Sequence, residues 1–363
     1  MAEIHQELQN PGSEPGVLLN SIQPEKQEAR LTAVELGYLW NSYLSESLSH
    51  HIYVYFLKHM EDPLIKPFLT RWVDATRDSL QLLKSVLTKE GIPIPRGITS
   101  EDINLNAPRL FSDNFLIIMV KSMAKVALQF FSLAYAESSR RDIREFFRDF
   151  VDRMVMLNQQ VADLKQTKGT PASPPHIPVP NKVDFVKKKS FLGNNRPLST
   201  PEITRIFFNA QSNALGKALL MGYSQVVKSK EIKQFIIRGK NLSTKYYADL
   251  SRLLLDENIT VPPSYDGEVT DSTESPFSDR FILNHSIYMG SIGLQFYGLA
   301  LSMSPRHDLA AMYAKMMVET GTYTSDGAKL MIKNEWLEQP PLAPDRDALV
   351  RQGHKAQKVD HVN

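Results

Sequence analysis

The chain repeats its own sequence, and this repetition constrains the fold more than any other feature does. The string FSDNF at 111–115 returns as FSDRF at 277–281. Aligning 111–143 with 277–309 gives 13 identities in 33 positions without a gap. Each copy spans roughly 145 residues, which is too long for a solenoid repeat and long enough to bury a core. The sequence therefore indicates a tandem duplication of a domain-sized unit.

The repeat also predicts where the domains begin and end. Residues 31–95 match 198–262 at a constant offset of 167, and the offset becomes 166 from Phe111 onward. Proline-rich and polar segments separate and flank the two copies, as is typical of linkers and tails. We expect a mobile N-terminal arm over 1–30, a first four-helix bundle over 31–167, a Pro- and Lys-rich linker over 168–197, a second bundle over 198–338 and a polar tail over 339–363.

Local signals predict four helices, A to D, in each copy. A capping box opens helix A at Thr32-x-x-Glu35 and again at Ser199-x-x-Glu202. Gly91 stands where helix B ends in a left-handed residue. The predicted ranges for helices A to C are about 32–60, 64–90 and 113–137 in the first copy and 199–227, 230–257 and 279–303 in the second; helix D follows Ser138 and Ser304, and Asn258 is the counterpart of Gly91.

The lengths of the connections predict the topology. Helices A and B, and likewise C and D, are joined by a few residues, whereas about 20 residues rich in Pro, Gly and Asn join B to C. Two tight hairpins joined by one long crossover are typical of a ferritin-like four-helix bundle. The apolar spacing agrees, because a stripe runs along helix C through Phe115, Met119, Val126, Phe130 and Leu133. The predicted fold is all-α, with two tandem ferritin-like four-helix bundles.

Composition excludes several classes of function. With 42 Lys and Arg against 40 Asp and Glu, the net charge is +2, so no strong field favours a nucleic acid partner. The absence of cysteine excludes disulfides and thiolate chemistry. The most apolar stretch, 115–136, carries Lys121 and Lys125 near its middle, which argues against a membrane span. The N-terminus has acids and prolines where a signal peptide needs an apolar run, so we expect cytoplasmic synthesis.

Ferritin-like bundles often hold two metal ions, and the sequence gives little support for such a site here. Their ligands include a Glu-x-x-His motif from each of two helices. No glutamate in this chain has a histidine three residues later, and the predicted B helices contain no histidine. Glu46 and His50 could share a helix face and hold one ion, but their counterparts are Asn213 and Lys217. We therefore expect no metal and no cofactor, and a degenerate metal-dependent oxidoreductase is the weakest hypothesis.

A pocket in the second bundle is the alternative that the residues leave open. His285 occupies the stripe position of Met119 and should point into the second core. Small residues are frequent there, and they either let the helices pack closely or leave a cavity for an apolar ligand. If there is a cavity, His285 and Tyr288 would provide the polar groups that contact the ligand. Close packing is the simpler interpretation.

Several polar residues recur in both copies, which favours a structural role such as capping or interhelical hydrogen bonding. No catalytic residue is indicated, since no nucleophile–base motif, phosphate loop or metalloprotease motif is present. The recurring pairs are Arg71 and Arg238, Asp113 and Asp279, Gln129 and Gln295, Arg140 and Arg306, and Asp142 and Asp308.

Together, the L-[TS]-x-x-E opening, the G-I-P-x-P crossover and the FSD and LQF strings of helix C resemble an uncharacterised family of spore-forming Gram-positive bacteria. That family is a domain of unknown function related to spore coat protein F. The resemblance covers about 31–341 and implies a ferritin-like fold and a link to the spore or its coat. It implies no catalytic residue. The leading hypothesis is a non-enzymatic structural or interaction protein with coat or self-association partners, and the alternative is a small-molecule-binding protein.

Overall fold

The fold is known from a computed structural model that describes residues 30–168, 174–185 and 196–351. Nearly all of the predicted N-terminal arm, the lysine run of the linker and the end of the predicted tail lie outside the described residues. Within them, eight long helices form two sets of four. In the first set, α1 is Ala33–His59, α2 is Ile65–Lys89, α3 is Asp113–Glu137 and α4 is Arg141–Thr167; in the second, α5 is Thr200–Val226, α6 is Lys230–Asp256, α7 is Asp279–Ser302 and α8 is His307–Lys333.

These helices confirm the all-α prediction of two tandem bundles with short hairpins and a long crossover. Helix α1 packs against α2 and α3 against α4, and the second set repeats this arrangement. Capping boxes form at Thr32 and Ser199, as the sequence predicts. Gly91 and Asn258 adopt left-handed backbone with φ of 68° and 57°. Because these signals act within one turn of a helix, the sequence specifies the helix ends directly.

The apolar stripe of α3 faces the interior as the sequence predicts, except at one residue. Phe115, Met119 and Val126 of α3 are buried, as expected. Leu133, which the spacing also assigned to the stripe, is 54% exposed. Helix α3 is long and apolar enough to cross a membrane by length and composition alone. In the structure it packs along α4 and also contacts α1 and α5, as a bundle helix does.

The two crossovers pair with each other rather than folding back on their own bundles alone. Antiparallel bridges join Ile103 to Phe277 and Phe111 to Val269, so each crossover meets the end of the other. The backbone N–H of Ser278 donates to the carbonyl of Asp102 at 2.9 Å. These exchanged contacts fix the position of one bundle on the other.

An aromatic cluster fills the space between the exchanged crossovers. Phe111 stacks on Phe115 with ring centroids 4.5 Å apart and lies against Gly222 of α5. Phe277 packs on Tyr55 of α1 at 4.9 Å, and Tyr55 is the repeat counterpart of Gly222. Each copy therefore inserts an equivalent phenylalanine into the other, and the largest apolar cluster contains residues from both copies.

Candidate functional site

The centre of the first bundle contains a cavity of about 50 Å³. All four of its helices contribute to the wall, and α7 of the second bundle closes one side. A volume above roughly 10–15 Å³ accommodates a water molecule, so this space holds a few waters or a small ligand. The lining residues that matter below are Glu46, Tyr53, Trp72, Phe130, Phe131, His285 and Tyr288, with four methionines, Met119, Met123, Met154 and Met289, among the others.

Glu46 of α1 is the one carboxylic acid in this wall. Its side chain is buried, with 7% of the residue exposed, and its carboxyl group makes no hydrogen bond or ion pair with any described residue. Burial raises the pKa of Glu46 to about 7, and the charge of Arg153 opposes that rise only partly. Arg153 itself donates to the hydroxyl of Ser79 at 2.7 Å. Glu46 therefore presents an unpaired carboxyl group to the cavity.

His285 and Tyr288 lie on the wall of this first-bundle cavity, whereas the sequence assigned them to a pocket of the second bundle. The hydroxyl of Tyr223 lies 2.7 Å from Nδ1 of His285, and no described residue hydrogen-bonds Nε2. Burial lowers the pKa of His285 to about 4, so the imidazole is neutral near pH 7. Burial and the nearby Glu46 raise the pKa of Tyr288 to about 12. His285 is thus bonded to Tyr223 of its own bundle, and both side chains also reach the wall of the first-bundle cavity.

A second cavity of about 70 Å³ lies at the equivalent place in the second bundle. Gly290 and Gly293 line it, and a Cβ on Gly290 would lie 2.6 Å from the side chain of Thr324, so this glycine permits close helix packing beside the cavity. Asn213 replaces Glu46 at the repeat position. Its amide donates to the carbonyl of Asn209 at 2.8 Å, and its carbonyl oxygen accepts from the hydroxyl of Tyr297 at 3.0 Å. Asn213 is therefore satisfied within the protein, whereas the hydroxyl of Tyr323, which also lines this cavity, has no hydrogen-bond partner among the described residues.

The two cavities differ in shape because their large aromatic side chains come from different helices. Trp72 of α2 lines the first cavity, and its counterpart is Gly239. Leu157 of α4 corresponds to Tyr323, whose ring lies 2.6 Å from where a Cβ on Gly239 would be. Tyr323 thus fills the volume that Trp72 occupies in the first bundle. The duplicated cores have diverged in shape as well as in polarity.

Glu46 and His50 do not combine into a metal site. Nδ1 of His50 lies 2.9 Å from the hydroxyl of Thr76, and burial lowers the pKa of His50 to about 4. Among the residues that the structure describes, no three His, Asp or Glu side chains lie close enough together to hold a metal ion.

The recurring aspartates cap the loops between helices. The carboxylate of Asp113 accepts from the backbone N–H of Asp62 at 2.9 Å, and that of Asp279 accepts from the N–H of Ser229 at 2.7 Å. Both aspartates lie in the first turn of their helices, where the dipole favours a negative charge. Each therefore ties the start of helix C to the A–B hairpin of its own copy.

The recurring Arg–Asp pairs lock the C–D hairpins. Arg140 bonds both Glu90 and Asp142, with Nη2 at 2.8 and 2.7 Å from their oxygens. In the second copy Arg306 contacts Asp308 at 2.7 Å and Glu257 at 3.5 Å. The hydrogen bond from Arg140 lowers the pKa of Asp142. These pairs join the end of helix B to the start of helix D.

Of the remaining repeated residues, Arg238 forms an interhelical bridge in the described part of the chain, whereas Arg71, Gln129 and Gln295 form none there. Gln129 and Gln295 are exposed, and neither makes a side-chain hydrogen bond to a described residue. Arg71 is also exposed. Arg238 pairs with Asp326 at 2.9 Å on the surface. Recurrence alone therefore does not distinguish a bridging residue from one that both copies keep on a solvated face.

Sequence reasoning considered Glu46 only as a possible metal-binding partner of His50 and did not single out Tyr53. A signal was present, because Leu39, Glu46 and Tyr53 are seven residues apart and share the buried face of α1. A carboxylate on a stripe of buried residues is uncommon and points to a site.

The fold and the cavities define a class: an all-α protein of two joined four-helix bundles, each with a hollow at its centre. A family model described as "Protein of unknown function (DUF3231)" matches twice, over residues 20–183 and 186–349. The chain belongs to this family, which confirms the resemblance to a tandem family of unknown function.

No curated protein matches the sequence. One solved structure is similar, that of a "putative spore coat protein" from Bacillus halodurans C-125, at 19% sequence identity and a TM-score of 0.39. The similarity covers 42% of this chain and 98% of that one.

Proposed function

We propose that this protein binds a small molecule in the cavity of the first bundle. The observation that carries the proposal is the carboxyl group of Glu46, which is buried in an apolar cavity without a hydrogen-bonding partner. A buried polar group without a partner is costly, and native proteins retain few of them. A ligand that bonds to Glu46 would remove that cost.

The second bundle supports this proposal by contrast. At the same place in the duplicate, Asn213 is bonded at both ends of its amide to Asn209 and Tyr297. A core position that served packing alone in both copies would be expected to be satisfied in both. The unpaired carboxyl group occurs in the copy whose cavity also carries His285, with an unbonded Nε2, and Tyr288, whereas the unpaired buried group of the second cavity is the neutral hydroxyl of Tyr323.

Trp72 provides a direct test, because its indole lines the cavity. The chain has 3 tryptophans, and a W40F/W336F variant keeps Trp72 as the single fluorescent reporter. We expect a saturable change in its fluorescence with toluene, butan-1-ol or n-butylamine as probes. Ala127→Leu, which fills the cavity, should abolish that change. Gly293→Ala, at the repeat-equivalent position in the second cavity, should preserve it. No saturable response to any of the three probes would refute the proposal.

A structural or interaction role at the spore coat is the second candidate. The described part of the linker, 174–185, is extended and presents large apolar side chains to solvent. Val179, Val183 and Phe185 are 87%, 86% and 86% exposed. Exposed apolar side chains in an extended segment suit a protein partner. Immunoblots of vegetative cytosol, mother-cell cytosol, spore core and coat extract test this. Concentration in the coat extract would support it, and restriction to vegetative cytosol would contradict it.

A further inference from the structure

The wall of the first-bundle cavity combines one carboxyl group with several aromatic side chains. Tyr53, Trp72 and Tyr288 line it together with Glu46, and so do Phe130 and Phe131. The faces of aromatic rings carry negative potential and attract organic cations. Aside from Glu46, the lining holds no Asp, Glu, Lys or Arg. A cation in this cavity would therefore meet one negative partner and no competing positive one in the wall.

We propose that the ligand of this cavity is a small organic ammonium ion, whose nitrogen pairs with the carboxylate of Glu46 and whose alkyl part contacts the aromatic and methionine side chains. This inference rests on the proposed function and specifies its ligand class. The pairing would satisfy Glu46 by a charge-assisted hydrogen bond, which is stronger than a neutral one. Met119, Met123, Met154 and Met289 are flexible enough to adjust the apolar part of the cavity to the alkyl group.

The size of the cavity limits the ligand to a few heavy atoms. A volume of about 50 Å³ does not admit a long chain or a fused ring system. With five heavy atoms, n-butylamine lies at the upper limit and requires the methionine side chains of the wall to adjust, and butan-1-ol has the same shape without the charge. The two probes therefore separate the contribution of the ammonium charge from that of the alkyl group.

Among the residues that line this cavity, Glu46 is the group expected to titrate between pH 5.5 and 9. Lys125 of α3, whose pKa burial lowers to about 8, lies beside the wall with its ammonium group 4.3 Å from the ring of Phe296. On its own helix, Tyr53 has a raised pKa and His50 has a pKa of about 4. From α7, His285 has a pKa of about 4 and Tyr288 one of about 12. The residues of α2 and α3 that line the cavity carry no charge.

From α4 the facing charged group is Arg153, whose positive charge acts on Glu46. The other lining residues thus keep constant charge while the carboxyl group of Glu46 ionises, and the Glu46→Gln variant isolates any contribution from Lys125.

Binding of an ammonium ion should therefore depend on pH in a specific way. Below a pKa of about 7 the carboxyl group holds a proton that must leave before an ammonium ion can pair with it. Proton linkage then weakens binding about 30-fold at pH 5.5 relative to the plateau above pH 8. An alkylamine ionises near pH 10.4, as lysine does, so the probe stays charged throughout. A neutral probe has no such dependence on the ionised form of Glu46.

The test titrates full-length W40F/W336F protein with n-butylamine and with butan-1-ol at pH 5.5, 7.0 and 8.5. We expect n-butylamine to bind at least tenfold more tightly than butan-1-ol at pH 8.5, and to lose that advantage at pH 5.5. Glu46→Gln should remove both the preference for the amine and the pH dependence of amine binding. The variant should still bind butan-1-ol, and that binding would show that it is folded. Glu101→Gln, which removes an exposed carboxylate, should behave like the parent.

The outcomes separate this inference from the function on which it rests. Equal binding of the two probes at pH 8.5, or amine binding that does not change with pH, would overturn the ammonium assignment and leave the ligand-binding function in place. Failure of toluene, butan-1-ol and n-butylamine alike would overturn both. Retention of amine binding by Glu46→Gln would overturn the role of Glu46.

Discussion

Asp102 of the first crossover and Arg280 of α7 form a buried ion pair across the two bundles, with Nε of Arg280 3.1 Å from Oδ1 of Asp102. The relationship is reciprocal. Glu268 of the second crossover accepts from the amide of Asn114 on α3 at 2.7 Å, and residues 268 and 114 are the repeat counterparts of 102 and 280. Each copy thus supplies an acid that holds the start of helix C in the other.

We expect Asp102→Ala to destabilise the protein by about 3–5 kcal/mol, because it leaves Arg280 buried without its charged partner. Asp102 and Arg280 are 5% and 9% exposed at the side chain, so solvent cannot replace the pair. Urea unfolding measures the loss. Glu101→Ala is the matched control, since its ion pair with Arg96 is solvent-exposed and should contribute about 1 kcal/mol or less. A loss of under 1 kcal/mol for Asp102→Ala would contradict a structural role.

The same pair predicts a dependence on pH. Burial opposes ionisation of Asp102, but hydrogen bonds from Arg280, Ser278 and the backbone of Thr99 prevail and lower its pKa. A lowered acid pKa gives stability that is complete above the unfolded value near 3.9 and is lost as pH falls through the folded value. The free energy of unfolding of Asp102→Asn should therefore fall less steeply below pH 4 than that of the parent does. Identical acid transitions would contradict this.

Gly222 tests the exchanged aromatic contact. A Cβ at this position would lie 2.7 Å from ring atoms of Phe111, which is held by stacking on Phe115. Gly222→Ala should therefore cost about 1–3 kcal/mol by overpacking. Gly321→Ala, on α8 with no atom within 4 Å of the new methyl group, should instead stabilise by about 0.5–1 kcal/mol. Thermal unfolding of the two variants should thus shift in opposite directions, and a stabilised Gly222→Ala would disprove the close approach.

Lys125 of α3 is a partly buried cation near the junction of the bundles. Burial, followed by repulsion from Arg205 and Lys121, lowers its pKa to about 8. Its Nζ lies 4.3 Å from the ring centroid of Phe296, and this cation–π contact offsets part of the free-energy cost of burying the charge. Because the unfolded chain binds the proton more tightly, stability should rise with pH between about 8 and 10.5.

Lys125→Met should accordingly stabilise the protein by about 1–2 kcal/mol at pH 7, after allowance for the lost contact with the Phe296 ring. The gain should shrink as pH approaches 10.5. Lys84→Met, at an exposed position on α2, is the control and should change stability little. A loss of stability in Lys125→Met at pH 7 would show that the contact with Phe296 outweighs burial.

The sequence predicted the features that depend on neighbouring residues and missed those that depend on the packing of one copy on the other. Capping boxes, the left-handed Gly91 and the long crossover are local, so the repeat revealed them twice. The exchange of Phe111 and Phe277 between copies leaves no periodic signature, since both would look the same in an isolated bundle. For the same reason the sequence assigned His285 to the second core alone, although its ring, bonded to Tyr223 of that bundle, also reaches the wall of the first cavity.

Glu46 also predicts how stability depends on pH in the absence of ligand. Its pKa rises from 4.5 to about 7 on folding because burial disfavours the charged form. A raised pKa means that stability is complete below the unfolded value and falls as pH rises through the folded one. The shift corresponds to about 3 kcal/mol. Glu46→Gln should therefore match the parent near pH 4.5 and exceed it by about 2–3 kcal/mol at pH 8, as measured by urea unfolding across that range.

The second bundle provides the reverse experiment. Asn213→Asp places a carboxyl group at the repeat-equivalent position and removes the donor that bonds the carbonyl of Asn209. This variant should lose stability, and the loss should grow with pH because the new acid is also buried.

For the Glu46 experiment, parallel curves of unfolding free energy against pH for the parent and Glu46→Gln between pH 5 and 8 would mean that solvent reaches the carboxyl group. If the curves diverge instead, saturating n-butylamine at pH 8 should raise the stability of the parent and leave that of Glu46→Gln unchanged.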